Sequence, residues 1–162
     1  MLMIVQAESE EQIAAARELM LEYAASLGFD LCFQNFDQEL RSLPGKYAAP
    51  AGRLLLAYCD GEAAAMIAMR PVETAGVCEM KRLYVRPAFR GKSLGRELTV
   101  RLIAEARAAG YHCMRLDTVS GKMDRAIALY RELGFREIPA YYATPLREML
   151  FMELMLRENA CR

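Results

Sequence analysis

Apolar and polar positions along the chain follow two periods. Between Ser9 and Leu27 the apolar residues Ile13, Met20, Tyr23, Ala24 and Leu27 recur at helical spacing, and Gly28 ends the run. Ser9 with Gln12 three residues on fits a capping box. A second, short helix is predicted over Asp37–Leu43, stopped by Pro44-Gly45. The connection between the two helices is aromatic, with Phe29, Phe33 and Phe36. Strands are predicted at 2–7, Arg53–Cys59, Glu62–Arg70 and Val77–Val85, with Asp60-Gly61 as a two-residue hairpin turn. A long helix follows over Lys92–Ala109, with the stripe Leu94, Leu98, Leu102, Ile103 and Ala106, and Gly110 stops it. A strand at Tyr111–Val119, a helix at Met123–Leu133 ended by Gly134, and strands at 136–143 and 148–156 complete the order. This is the pattern of an α/β fold: one mixed sheet of about seven strands with helices on both faces, in a single domain over residues 1–162.

One strand breaks its own period. In Val77–Val85, Cys78 and Met80 share one parity while Leu83 and Val85 share the other. A β-bulge near Lys81–Arg82 accounts for the slip, and a bulge frees backbone groups that an extended ligand can pair with. A strand buried on both faces would lose its alternation equally well.

Composition narrows the function. The chain is 54% hydrophobic and 26% charged, enough for a packed core. No apolar run reaches the ~18–20 residues needed to cross a bilayer, so no membrane partner is expected. Met1–Val5 are too few apolar residues for a signal peptide, and acidic residues follow them. The formal net charge of zero lacks the footprint of a nucleic-acid binder. The five cysteines include no C-x-x-C pair, and His112 is the single histidine. The expectation is therefore no disulfide framework, no metal and a reducing, cytoplasmic compartment.

Charge is concentrated at one place. From 81 to 101 stand Lys81, Arg82, Arg86, Arg90, Lys92, Arg96 and Arg101 against the single acid Glu97. The cluster meets glycines at a helix start, where free N–H groups and the helix dipole favour an anion such as phosphate. A nucleotide P-loop would need glycine at position 86, where Arg86 stands. The dinucleotide fingerprint fails because Gly91 and Gly95 are the only glycines of the loop.

The segment Arg90-x-x-Ser93-x-Gly95, after a strand ending Leu83-Tyr84-Val85, resembles the acyl-CoA loop of the GNAT superfamily of N-acyltransferases. A second block, Ala126-Ile-Ala-Leu-Tyr130-Arg-Glu-Leu-Gly134-Phe135, resembles that family's last helix and the turn after it. The resemblance covers nearly the whole chain. It implies a GNAT-like three-layer fold with a splayed central strand and acetyl-CoA as co-substrate. Leu83, Tyr84, Val85, Arg90, Gly91, Lys92, Ser93, Leu94, Gly95, Arg96 and Tyr130 would contact the coenzyme. Ser93 departs from the family's usual glycine, and 120–123 lacks the asparagine many relatives carry.

The expected reaction moves an acetyl group to a primary amine of a small molecule or peptide, by direct attack in a ternary complex. Glu79, between apolar Cys78 and Met80, is the candidate base, with burial expected to raise its pKa. A purely structural ion pair is the competing role. Tyr130 is the candidate acid at the coenzyme sulfur, as the resemblance implies, and a core tyrosine is its competing role. The Val85 N–H would polarise the thioester carbonyl. Phe29, Asp30, Phe33, Tyr141 and Tyr142 are the candidate acceptor wall. The alternative function is a non-catalytic acyl-CoA-binding sensor. Eleven methionines, among them Met149, Met152 and Met155, leave both core packing and a homodimer surface open.

Overall fold

The structure is a computed structural model that describes residues 1–28, 31, 35–121, 123–146 and 148–157. Strand β1 spans Leu2–Gln6 and is followed by helices α1 (Glu10–Leu27) and α2 (Phe36–Ser42). Strands β2 (Arg53–Cys59), β3 (Glu62–Pro71) and β4 (Val77–Val85) form a meander. Then come α3 (Leu94–Ala108), β5 (Cys113–Val119), α4 (Asp124–Glu132), β6 (Arg136–Ile138) and β7 (Met149–Met155). Short 3₁₀ turns lie at Gly45–Tyr47 and Pro87–Phe89. The seven strands form one sheet in the order β1-β2-β3-β4-β5-β7-β6. All neighbours are antiparallel except β4 and β5, which run parallel.

The α1 capping box forms as its residues dictate. Gln12 N–H donates to Ser9 Oγ at 3.1 Å, and Ser9 N–H donates to Gln12 Oε1 at 3.1 Å. Two apolar clusters sandwich the sheet. Leu98, Leu102 and Ala106 of α3, with Tyr130 of α4, pack on one face. Ala16, Leu19 and Met20 of α1, with Phe36 of α2, pack on the other. The three-layer architecture expected from the pattern is thus the one observed. Among the described residues no helix is long and apolar enough to cross a membrane.

Three details differ from expectation. β6 ends at Ile138 rather than running to 143, because Pro139 has no N–H to continue the ladder. Met152 is fully buried and Met155 is exposed, so these methionines divide between core and surface. Cys59 and Cys78 are free, but Cys113 is disulfide-bonded. Cys32 and Cys161 lie outside the described residues.

The parity slip in β4 is a true bulge. Met66 faces Tyr84 and Ala68 faces Lys81, so Arg82 and Leu83 oppose the single residue Ile67. Arg82 adopts φ 63°, a left-handed conformation that costs an L-residue roughly 1–2 kcal/mol. The bulge returns Leu83 and Val85 to the α3 face that Cys78 and Met80 already occupy. It also drives the Arg82 side chain into the α1/α2 layer, where it is 4% exposed. There its Nε and Nη2 donate to Glu39 of α2 at 2.9 and 3.0 Å, and its guanidinium lies 5.2 Å from the Phe36 ring centre. Such a bidentate pair is strong, and losing one partner leaves a buried charge exposed to no counter-charge.

Arg82→Met is expected to destabilise the fold by about 3–5 kcal/mol in urea unfolding. Adding Glu39→Leu to it is expected to recover part of that loss. A single variant within ~0.5 kcal/mol of wild type would contradict the account.

Candidate active site

The end of β4 leads into the site. β4 pairs with β5 only from Val77↔Cys113 to Met80↔Leu116. Beyond that register both strands continue, to Val85 and Val119, without pairing to each other. A wedge-shaped gap opens at the middle of the sheet. Arg86 N–H bonds Ala64 O on β3 at 2.9 Å. By strand alternation the backbone groups of Val85 and Leu83 point the other way, into the gap. An extended chain carrying amide groups can pair with them as a short strand would.

Below the gap lies the start of α3. Ser93 is its N-cap, with φ 60° and ψ 24°, and its side chain makes no capping bond. The first-turn amides of α3 therefore face outward without a side-chain acceptor, at the positive end of the helix dipole. Gly91 has φ 84° and nothing within 4 Å of where a Cβ would stand. At Gly95 a Cβ would meet only Val85 Cγ2, at 4.0 Å. This open backbone cradle suits a diphosphate. The serine at 93 is accommodated because its backbone takes the conformation a glycine would, and its hydroxyl makes no bond to the helix amides.

The basic cluster around it is smaller than the sequence suggests. Lys81 lies 3.7 Å from Glu79 and 3.6 Å from Asp117, and is itself buried. Arg82 pairs with Glu39, Arg86 with Glu18 and Glu22, and Arg101 with Glu105. Arg96 reaches Glu132 of α4. Arg90 donates to Val85 O at 3.1 Å, and Lys92 lies 5.5 Å from the Phe89 ring centre. Arg90 and Lys92 are thus the cations left to the loop itself.

Tyr130 sits on α4 in the apolar cluster on the α3 face of the sheet. Its ring packs on Phe135 at 5.6 Å between centres, and the residue is 5% exposed. Burial raises its pKa well above that of an ordinary phenol, with Tyr23 and Asp117 adding to the rise. The hydroxyl stays protonated and is a hydrogen-bond donor.

Glu79 lies on the α1/α2 face of β4 and is 2% exposed. Arg70 Nε of β3 donates to its Oε1 at 3.0 Å, and the Tyr141 hydroxyl donates to its Oε2 at 2.7 Å. Burial alone would raise its pKa, as the sequence led one to expect. Lys81, the Tyr141 hydrogen bond and Arg70 together outweigh burial, and the pKa falls below the usual glutamate value. Glu79 is therefore a carboxylate throughout the neutral range. Cys78 and Met80 flank it in sequence but point to the opposite face.

Tyr142 donates to Asp117 Oδ2 at 2.5 Å. Tyr141 and Tyr142 pack edge-to-face on each other and on Phe151, with centres 5.5, 5.1 and 5.0 Å apart. The two tyrosines of the expected acceptor wall thus bond the carboxylates beside the gap. Phe29, Asp30 and Phe33 lie outside the described residues. Sequence reasoning missed Arg70, Lys81 and Asp117. Lys81 carried a signal, since it stands two residues from Glu79 on the same strand face. Arg70 and Asp117 come from neighbouring strands and carried none.

Comparison with known proteins agrees with this geometry. The model of the Acetyltransferase (GNAT) family matches residues 14–135. An uncharacterized N-acetyltransferase of Schizosaccharomyces pombe is 40% identical over 137 residues, covering 84% of this chain and 83% of that protein. A GNAT-family acetyltransferase of Staphylococcus aureus superposes with a TM-score of 0.78 at 18% identity, over 97% of this chain and 100% of that one. The yncA protein of Salmonella typhimurium, solved with its cofactor acetyl-CoA, gives a TM-score of 0.66 at 27% identity, over 98% and 96% of the two chains. The chain belongs to the GNAT family of acetyltransferases. It is an acyltransferase that depends on acetyl-CoA.

The depressed pKa of Glu79 has a stability consequence. The unfolded chain, with a glutamate pKa near ~4.3, binds the proton more readily than the folded one. The contribution is present above that value and is lost as pH falls through the lower folded value. Glu79→Gln is expected to flatten the loss of stability below about pH 4.3 in denaturant melts across pH. Identical acid limbs in both proteins would contradict the sign assigned to Glu79.

Proposed function

We propose that this protein transfers the acetyl group of acetyl-CoA to a primary amine of a small molecule or peptide, by direct attack in a ternary complex. The observation that carries this is the gap beyond Met80 and Leu116, where β4 leaves β5 and the Leu83 and Val85 N–H groups point away from β3. Holding amine and thioester together supplies the orientation that the bimolecular reaction lacks in water.

The amides at Gly91–Arg96, with Arg90 and Lys92, bind the diphosphate, and the Leu83 and Val85 backbone groups pair with the pantetheine arm. The Val85 N–H donates to the thioester oxygen as negative charge builds there. The amine nitrogen bonds to the carbonyl carbon, the carbon–sulfur bond breaks, and one proton leaves the nitrogen. An alkylammonium with a pKa near ~10 must first give up another proton to become the neutral amine that attacks, so two protons leave the nitrogen in all. Glu79, ionised in the neutral range, attracts the ammonium and passes its proton to water. Tyr130 donates a hydrogen bond to the departing sulfur. Its raised pKa makes it a stabiliser of the thiolate, whose own pKa is near ~8.5, rather than a full proton donor.

Thiol release from acetyl-CoA across a panel of amines tests this function; no release and no coenzyme binding would overturn it. Tyr130→Phe is expected to lower kcat by about 10–100-fold, the worth of one hydrogen bond to a charged group, with little change in coenzyme Kd. Unchanged kcat would remove Tyr130 from the reaction. Gly95→Ala is expected to raise fold stability by up to about 1 kcal/mol, since alanine favours a helix over glycine. The same change is expected to weaken coenzyme binding measured by calorimetry, because the new methyl faces the phosphate cradle. Equal affinity in both proteins would move the diphosphate elsewhere.

A further inference from the structure

A second cleft, of about 180 Å³, lies beside Glu79 between α2, the Gly45–Tyr47 turn and β3. Arg70, Lys46, Tyr47 and Glu39 line it. Arg70 joins this cleft to the reaction centre, because its Nε and Nη2 both lie 3.0 Å from Glu79 Oε1. Its remaining nitrogen, Nη1, has no partner among the described residues. Lys46 likewise pairs with no carboxylate among the described residues. Glu39 does not neutralise them, since both of its oxygens are held by Arg82. Tyr47 is 3% exposed, and its hydroxyl is buried with no hydrogen-bond partner among the described residues. A buried hydroxyl left unpaired costs about 1–3 kcal/mol, so such an atom marks a place where a partner is missing. Burial raises the pKa of Tyr47, Glu39 adds to the rise, and Arg82 and Arg70 oppose it.

The cleft thus offers the Lys46 ammonium, the one Arg70 nitrogen that Glu79 does not hold, and one buried O–H donor, all of which can donate to an acceptor atom. The neighbouring Glu79 carboxylate, held by Arg70, Lys81 and the Tyr141 hydroxyl, is the negative charge on the far side of Arg70. The two halves meet at Arg70. We infer that the acetyl acceptor is a small amino acid or similar amine carrying a carboxylate, bound through Arg70, Lys46 and the Tyr47 hydroxyl with its amine directed toward Glu79. This inference rests on the function proposed above and names the class of its acceptor. Planar guanidinium groups bind carboxylates with defined geometry, and charge-assisted hydrogen bonds are about twice as strong as neutral ones. Size agrees: a cleft of about 180 Å³ has room for a compact solute. A polyamine would place further ammonium groups against Arg70 and Lys46, at a cost in like-charge repulsion.

The experiment compares matched acceptors with the full chain and acetyl-CoA. Each L-amino acid is run beside its carboxamide, the amine left by its decarboxylation, and a dipeptide that begins with it. Initial rates are read as thiol release. At least one amino acid is expected to exceed its carboxamide and its decarboxylated amine by tenfold or more in kcat/KM. Lys46→Gln and Tyr47→Phe are each expected to reduce that acid-over-amide ratio about tenfold, mainly through KM, while coenzyme affinity stays near wild type. Amides, polyamines or dipeptides turned over as well as acids would overturn the inference and leave the acetyltransferase function standing. An acid-over-amide ratio unmoved by both variants would overturn it too. If no amine releases thiol, calorimetric titration of the amino acids and their amides into the protein decides: an acid bound no better than its amide overturns the inference.

Discussion

The buried pair of Arg82 and Glu39 is the constraint on which the site depends. A bulky residue with φ 63° in the middle of a central strand is strained, and it persists only where its surroundings hold it. Here α2 provides the hold through two charge-assisted hydrogen bonds. The consequences run in both directions. Toward the C-terminal end of β4, the bulge turns Leu83 and Val85 onto the α3 face and helps lead the strand away from β5. Toward the N-terminal side, it fixes α2 as one wall of the cleft that Arg70 shares with Glu79. One backbone irregularity therefore links the β4/β5 gap, where coenzyme is proposed to bind, to the cleft proposed for the acceptor.

Charge is arranged in layers around that bulge. Lys81 is shared between Glu79 and Asp117, and Tyr141 and Tyr142 each give a hydroxyl to one of these carboxylates. Burial lowers the pKa of Lys81, and the two carboxylates oppose the change. A buried network of this kind gains little net stability over an apolar core, but it fixes where each charge points. Glu79 is held ionised rather than tuned upward, so the part proposed for it in the chemistry is to attract and relay. The amine's own pKa then governs the pH at which transfer proceeds.

Much of this was legible in the sequence because it is local. The seven strands and four helices follow from period, caps and turn residues, and the bulge follows from one broken parity between Met80 and Leu83. The glycines at 91 and 95, ahead of an apolar stripe, mark the cradle. What escaped was set by partners distant along the chain. Seven bases in a row of twenty-one residues read as one anion site, yet Lys81 and Arg82 are neutralised by Asp117 and Glu39 from other elements. The direction of the Glu79 pKa could not be read from Cys78 and Met80, which face away; Arg70, Lys81 and Tyr141 decide it. Arg70 and Tyr47 carried no local signal, because their role arises only where β3 meets the turn after α2. The early end of β6 did carry one, in Pro139.

The central claim is that the parted strands and the α3 amides together receive acetyl-CoA. Amide hydrogen exchange with and without acetyl-CoA tests it most directly. The account predicts slowed exchange at Leu83 and Val85 and across 91–96, with β2 unchanged. Saturating coenzyme that leaves those amides exchanging at the free rate, or protects another surface instead, would contradict it.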